Sequence, residues 1–281
     1  MKWGQIKTIF IICFLVLDYF LLTQYLSKAN SEPQALPDEE AASFQDELDA
    51  RNINYEKIPS EAEKTTFISA NQYQFTKKDI ASLNDQKVVN DGDIIVSTFE
   101  EPISIPEELS EEELNNFLDQ NILFGDEYQF WSWNKDQNIL LFFQSYNDKT
   151  IYFNKAGMLM IFLNDNNEME YYAQTRLSDI EIGEEREVSQ PLETLEVLSN
   201  NDQLFTNDEI TKMKLGYQTL VPFENGQVFV PTWEISINDE RTYFVNAIEA
   251  RSISRDEEQF IKEIRDTVET IRQRDTGSDE S

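Results

Sequence analysis

The chain holds 54 acidic residues and no histidine in 281 positions. Carboxylates can do acid–base work and bind hard cations. Without imidazole there is no Ser-His-Asp or Cys-His relay, and the commonest zinc ligand is missing. Glycosidases need two carboxylates at a set separation, but among so many acids the sequence singles out no pair. Residues 90–93 (Asn-Asp-Gly-Asp) and 164–168 (Asn-Asp-Asn-Asn-Glu) offer calcium-type oxygens. Neither follows the EF-hand spacing, and hairpin turns use the same residues. The acids at 107–108 and 111–113 suit the positive end of a helix. Eight glycines are scattered, with no phosphate-cradling loop. Trp131 and Trp133, two apart, are expected on one sheet face, and Tyr171-Tyr172 in sheet packing. No catalytic, cofactor or metal residue is assigned, and an enzyme is not expected.

One carboxylate has a distinctive setting. Asp18 lies inside the apolar run 6–26, whose 21 residues would form about 32 Å of helix, enough to cross a bilayer. An acid there costs on the order of 3 kcal/mol. Thr8, Leu15 and Leu22 form one seven-residue column and Ile11, Asp18 and Tyr25 the next. Together they make a single helix face, suited to contact with other membrane helices. Three lysines against Asp18 give the first 28 residues a charge of +2, and the chain total of −31 leaves −33 beyond. That bias predicts a cytoplasmic tail (1–5), an uncleaved anchor (6–26) and everything after it outside the cell membrane. A cleaved signal peptide fits less well, because the apolar run is long and a lysine sits between Ser27 and Ala29. An acidic outer part repels nucleic acid. Cys13, the only cysteine, falls within the run, so no intrachain disulfide is available.

The rest reads as α+β. After a linker (27–37), an outer domain at 38–273 is expected, with possible halves 38–185 and 186–273 and a polar, frayed tail at 274–281. Helices are predicted at 38–51, from Thr76 to about 83, from a Ser110/Glu113 capping box, at 191–198 and from a Ser254/Glu257 box to about 272. Extended segments are predicted at 65–75, with Phe67, Tyr73 and Phe75 on one side, and at 94–105. Short polar links between 127–134, 138–146, 150–153, 157–163 and 168–177 predict an antiparallel meander. Strands at 210–220, 227–237 and 241–250 make a second. Pro231 removes a ladder donor, so its strand is expected to be an edge or bulged.

Two stretches carry a family resemblance. The first is Trp3…Lys7-Thr8-Ile9-Phe10-Ile11-Ile12…Phe14-Leu15…Leu17-Asp18. The second is Leu215-Gly216-Tyr217, then Val230-Pro231-Thr232-Trp233-Glu234-Ile235 and Tyr243-Phe244-Val245-Asn246-Ala247. With them the chain resembles the YycI family, whose layout of inside tail, single span and outer α+β domain it matches along its length. The P-x-W strand and its Asn-Ala partner also occur in the related YycH. The resemblance implies a membrane-anchored accessory regulator, without cofactor or catalytic residues. It would act with a YycH-like protein on the WalK sensor kinase of the WalK/WalR (YycG/YycF) two-component system, largely through membrane helices. Two other classes stay open on the residues alone. They are an extracytoplasmic ligand-binding or inhibitor-type domain and, with less in its favour, an anchored hydrolase.

Overall fold

The computed structural model describes residues 3–29, 38–62, 64–105, 111–223 and 226–278. The Ser110 cap, the acids at 107–108, the turn residues 224–225 and most of the 27–37 linker lie outside them, as do the side chains of Thr8 and Tyr25.

Helix α1 (Trp3–Ala29) is followed by α2 (Asp38–Ala50) and strand β1 (Thr65–Gln72). A one-turn helix, α3 (Lys77–Ile80), starts at Thr76, whose hydroxyl accepts from the Asp79 N–H at 3.2 Å. Then come β2 (Gln86–Asn90), β3 (Ile94–Ser104), α4 (Glu111–Asn121), β4 (Tyr128–Asn134), β5 (Ile139–Tyr146), β6 (Lys149–Thr150), β7 (Met158–Leu163), β8 (Glu168–Thr175) and β9 (Leu177–Arg186). The chain continues through α5 (Pro191–Asn200), β10 (Ile210–Phe223), β11 (Gly226–Ile237), β12 (Arg241–Asn246), β13 (Arg251–Ile253) and α6 (Glu257–Ser278). The fold is α+β, and every paired strand is antiparallel to its neighbour.

One sheet runs β2-β3-β8-β7-β5-β4, with β6 paired to β5. Its central strands are apolar at consecutive positions because both faces are covered. Leu140, Phe142, Leu159 and Ile161 pack towards α4, on Leu114, Leu118 and Ile122. Ile139, Leu141, Phe143, Met158 and Met160 pack towards α6, on Phe260, Ile261, Ile264, Val268 and Ile271. The second sheet runs β13-β12-β11-β1-β9, with β10 on the other side of β11. Trp233, Ile235, Ile237 and Val245 of this sheet pack with Phe44 and Leu48 of α2 and Leu195 and Leu198 of α5. The second sheet thus draws strands from both sides of the first, and α6 returns to the first.

Several local expectations are corrected. In β1 the buried apolar residues are Ile68 and Ala70, while Tyr73 and Phe75 pack in the other sheet's core. β4 has a bulge between Phe130 and Ser132, which breaks the two-residue alternation. Trp131 therefore packs on the α6 side and Trp133 on the α4 side. The C-terminal helix continues to Ser278, past its expected end. Pro231 is in neither an edge nor a bulged stretch. β11 pairs with β10 on one side, and on the other with β1 up to Phe229 and with β12 from Thr232. The Pro231 carbonyl accepts from Ala247 N–H at 2.9 Å, so its missing donor falls in the gap where β11 changes partners.

Candidate functional site

Two groups of residues carry the functional expectations, and the structure places them apart in the chain. The first is α1. Its large described side chains from Phe10 to Leu22 are 49–70 % exposed, on every side of the helix. Ile11, Leu15, Asp18 and Leu22 are all exposed, and the unbroken helix puts them on one stripe with positions 8 and 25. Among the described residues no helix is long and apolar enough to cross a membrane. Of α1, described side chains run without a gap only over 10–23, about 21 Å of helix.

The second group is the P-x-W strand and its neighbours. Leu215 pairs with Trp233, Tyr217 with Pro231, Gly216 with Thr232, and Thr232 with Asn246. Trp233 is 2 % exposed, and its indole N–H donates to the Ser189 carbonyl at 3.0 Å. Asn246 caps the following turn, its side-chain oxygen accepting from Ile248 and Glu249 N–H. Ala247 N–H reaches Pro231. Gly216 is required by a close approach: a Cβ there would meet the Tyr152 ring at 2.3 Å and the Thr150 carbonyl oxygen at 2.5 Å.

That approach is the joint between the sheets. Tyr152 N–H donates to the Tyr217 carbonyl at 2.8 Å, and the Tyr152 hydroxyl donates to Glu234 Oε2 at 2.8 Å. Glu234 is buried. Lys212 Nζ lies 2.7 Å from its Oε1 and Lys214 Nζ 3.8 Å from its Oε2. Burial, reinforced by the Glu234 charge and hydrogen bond, pushes the Tyr152 phenol well above its ordinary pKa, so it stays a donor. Around it, the Trp131 ring lies within 6 Å of Phe143, Tyr152, Phe153 and Phe244. Trp131 Nε1 and the Ser132 hydroxyl donate to Glu257 at the start of α6, at 2.7 and 3.0 Å. Carboxylate, phenol and ammonium are in contact here, but Tyr152 and Glu234 are each 1 % exposed, so a substrate has no access to them. The arrangement fastens one sheet to the other. Sequence reasoning passed over Tyr152, Lys212 and Lys214. The available signal was Glu234, a lone acid in the apolar run Val-Phe-Val-Pro-Thr-Trp-Glu-Ile.

The candidate calcium loops are closed turns. Asn164 Oδ1 accepts from Asn166 and Glu168 N–H, and Asn90 Oδ1 accepts from Gly92 N–H. Among the described residues no group of three acids or other ligand types could hold a metal ion. Two clefts flank the 55–65 segment. One, of about 660 Å³, lies between α2, that segment and α5, and Tyr55, Ile58, Pro191 and Leu192 line it. The other, of about 390 Å³, lies against β10 and is lined by Pro59, Ala62, Lys149, Met213, Leu215 and Trp233.

The family model described as YycI protein matches residues 33–248, beginning after α1 and ending before α6. Among solved structures, similarity is found to an uncharacterized protein from Eubacterium rectale ATCC 33656 (TM-score 0.40, 11 % identity, 73 % of this chain and 89 % of that one). It is also found to the Bacillus megaterium YpeB C-terminal domain (0.35, 11 %, 79 % and 97 %) and to YycH from Bacillus subtilis (0.39, 15 %, 72 % and 60 %). No curated protein matches significantly.

Proposed function

The chain belongs to the YycI family, and from that premise we propose that it is an accessory regulator of a WalK-type sensor kinase, working with a YycH-like partner. The family match over 33–248 is the observation that carries this reading. We further propose that α1 is a membrane anchor, with the N-terminus in the cytoplasm and residues 27–281 outside. Exposed apolar side chains on all sides of α1 support it, since a helix apolar all round belongs in a core or a bilayer. No described side chain of α1 enters any of the four described hydrophobic cores.

In this reading the signal passes sideways through the stripe Thr8, Ile11, Leu15, Asp18, Leu22 and Tyr25. Within the bilayer, close packing and single cross-helix hydrogen bonds, each worth about 1 kcal/mol, decide which helices associate. A photocrosslinking residue placed at Leu15 or Leu22 in living cells should capture the kinase or the YycH-like protein, and one at Phe20 should not. Capture from neither stripe position, at normal protein level, would remove the stripe from the mechanism.

A further inference from the structure

The cleft between α2, residues 55–62 and α5 has a volume of about 660 Å³. That is within the usual size range of small-molecule sites. Tyr55, Ile58, Pro59 and Leu192, all half-buried, and the buried Pro191 give it an apolar lining. The 55–62 wall is fastened along its length. Glu56 N–H donates to Asn54 Oδ1 at 3.1 Å, Ile58 N–H to the Tyr55 carbonyl at 3.2 Å and Ala62 N–H to Gln190 Oε1 at 2.9 Å. Pro59 and Pro191 have their φ angles fixed by the ring. A cleft preformed in this way loses little conformational freedom when it is filled.

Among the described lining residues only Glu56 and Glu61 are charged. Both are exposed, and neither forms an ion pair with a described residue. The lysines nearest to them in sequence are engaged elsewhere, Lys57 with Glu209 at 2.8 Å and Lys64 with Glu187 at 3.2 Å. Glu61 also borders the smaller cleft, and Lys64, Lys149 and Lys214 line only that one. The Tyr55 hydroxyl donates to Asp49 Oδ1 at 3.4 Å. Burial raises the Tyr55 phenol above its ordinary pKa, and Asp49 and the charge of Asp46 add to it, so further carboxylates act on the same wall. α5 starts at the cleft, but its first turn is closed. Gln190 and Glu193 form a capping box, with Gln190 N–H donating to Glu193 Oε2 at 2.7 Å, and Pro191 has no N–H. We propose that this cleft binds an organic cation with an apolar body, the hydrocarbon against Tyr55, Ile58 and Leu192 and the ammonium at Glu56 and Glu61. An anion would meet two unpaired carboxylates, and a neutral ligand of the same shape would gain nothing from them.

The test is a methyl NMR titration of the full-length protein in nonionic detergent with phenylbutylamine, at free concentrations set by dialysis. Salt at about 0.15 M screens attraction beyond about 8 Å. The Ile58 and Leu192 methyl signals should shift and saturate with a Kd of about 1 mM or tighter. Phenylbutanol, which carries a hydroxyl in place of the ammonium, should bind about fivefold more weakly. The double variant Glu56→Gln, Glu61→Gln changes exposed side chains only, and it should bind amine and alcohol equally. No saturable shift at Ile58 and Leu192, equal affinity of amine and alcohol for the wild type, or unchanged amine affinity in the double variant would each overturn the proposal. The same shifts with methylammonium would reduce the site to attraction by an acidic surface and overturn it as well.

Discussion

Gly216→Ala tests the joint directly. An added Cβ would sit 2.3 Å from Tyr152 Cε2 and 2.5 Å from the Thr150 oxygen. Non-bonded carbons rest at about 3.5 Å or more, so ring and backbone must each give by about 1 Å. Overpacking of this kind costs about 1–3 kcal/mol. As the ring retreats, its hydroxyl leaves Glu234, and a lost hydrogen bond to a buried charge costs about 1.5–3 kcal/mol more. Gly216→Ala should therefore lose about 2.5–6 kcal/mol, and Tyr152→Phe only the second part. Urea unfolding of the full-length protein in detergent, followed by tryptophan fluorescence, measures both. Trp131 reports on the joint because its ring lies 5.8 Å from Tyr152. A loss for Gly216→Ala below about 1 kcal/mol would refute the claim that the sheets are fastened by this approach.

Three further outcomes are expected. Trp233→Ala should cost about 3–5 kcal/mol, and Trp233→Phe about 1 kcal/mol, because it leaves the Ser189 carbonyl unpaired; a neutral melt for the alanine variant would make Trp233 a contact residue. Burial would raise the pKa of Asp208, but Phe205 N–H at 2.7 Å, Arg241 and Asn238 outweigh it and hold the carboxyl below the usual range. Stability from this group is full above the unfolded carboxylate pKa near 4 and is lost as pH falls through the lower folded value. Asp208→Asn should therefore flatten the fall in melting temperature between about pH 5 and 3, and an unchanged slope would refute the assignment. A reporter enzyme active only in the cytoplasm, fused after Ser281, should be silent; strong activity would reverse the proposed topology.

The parts legible in the sequence were those with a local cause. Short polar links specified the β4–β8 meander, and Pro191 marked the start of α5. What escaped was set by tertiary context. β9 has no buried face beyond its first residue, and Ile182 is 62 % exposed, so its Glu-rich sequence lacks the alternation of a strand. β2 was missed for a similar reason, as none of its residues is fully buried. Pro231 argued for an edge because a sequence does not show that a central strand can change partners at one residue. The 227–237 segment was legible as a strand, and helical spacing alone sets which α1 positions share a face. Tyr152 was not legible, because its role depends on a glycine 64 positions away.

The central claim is that the Asp18 stripe of α1 transmits regulation to a kinase. A regulator acts only if it binds two kinase states unequally, and about 1.4 kcal/mol of difference shifts their ratio tenfold. The most direct measurement is transcription from the kinase's target promoters, with protein level checked by blotting, in cells carrying wild type, Asp18→Leu, Phe20→Leu or an unrelated apolar helix in place of residues 6–26. The expected result is altered output for Asp18→Leu and for the replaced helix, and wild-type output for Phe20→Leu. Equal output from all four at equal protein level would contradict the claim and move the function to residues 38–278.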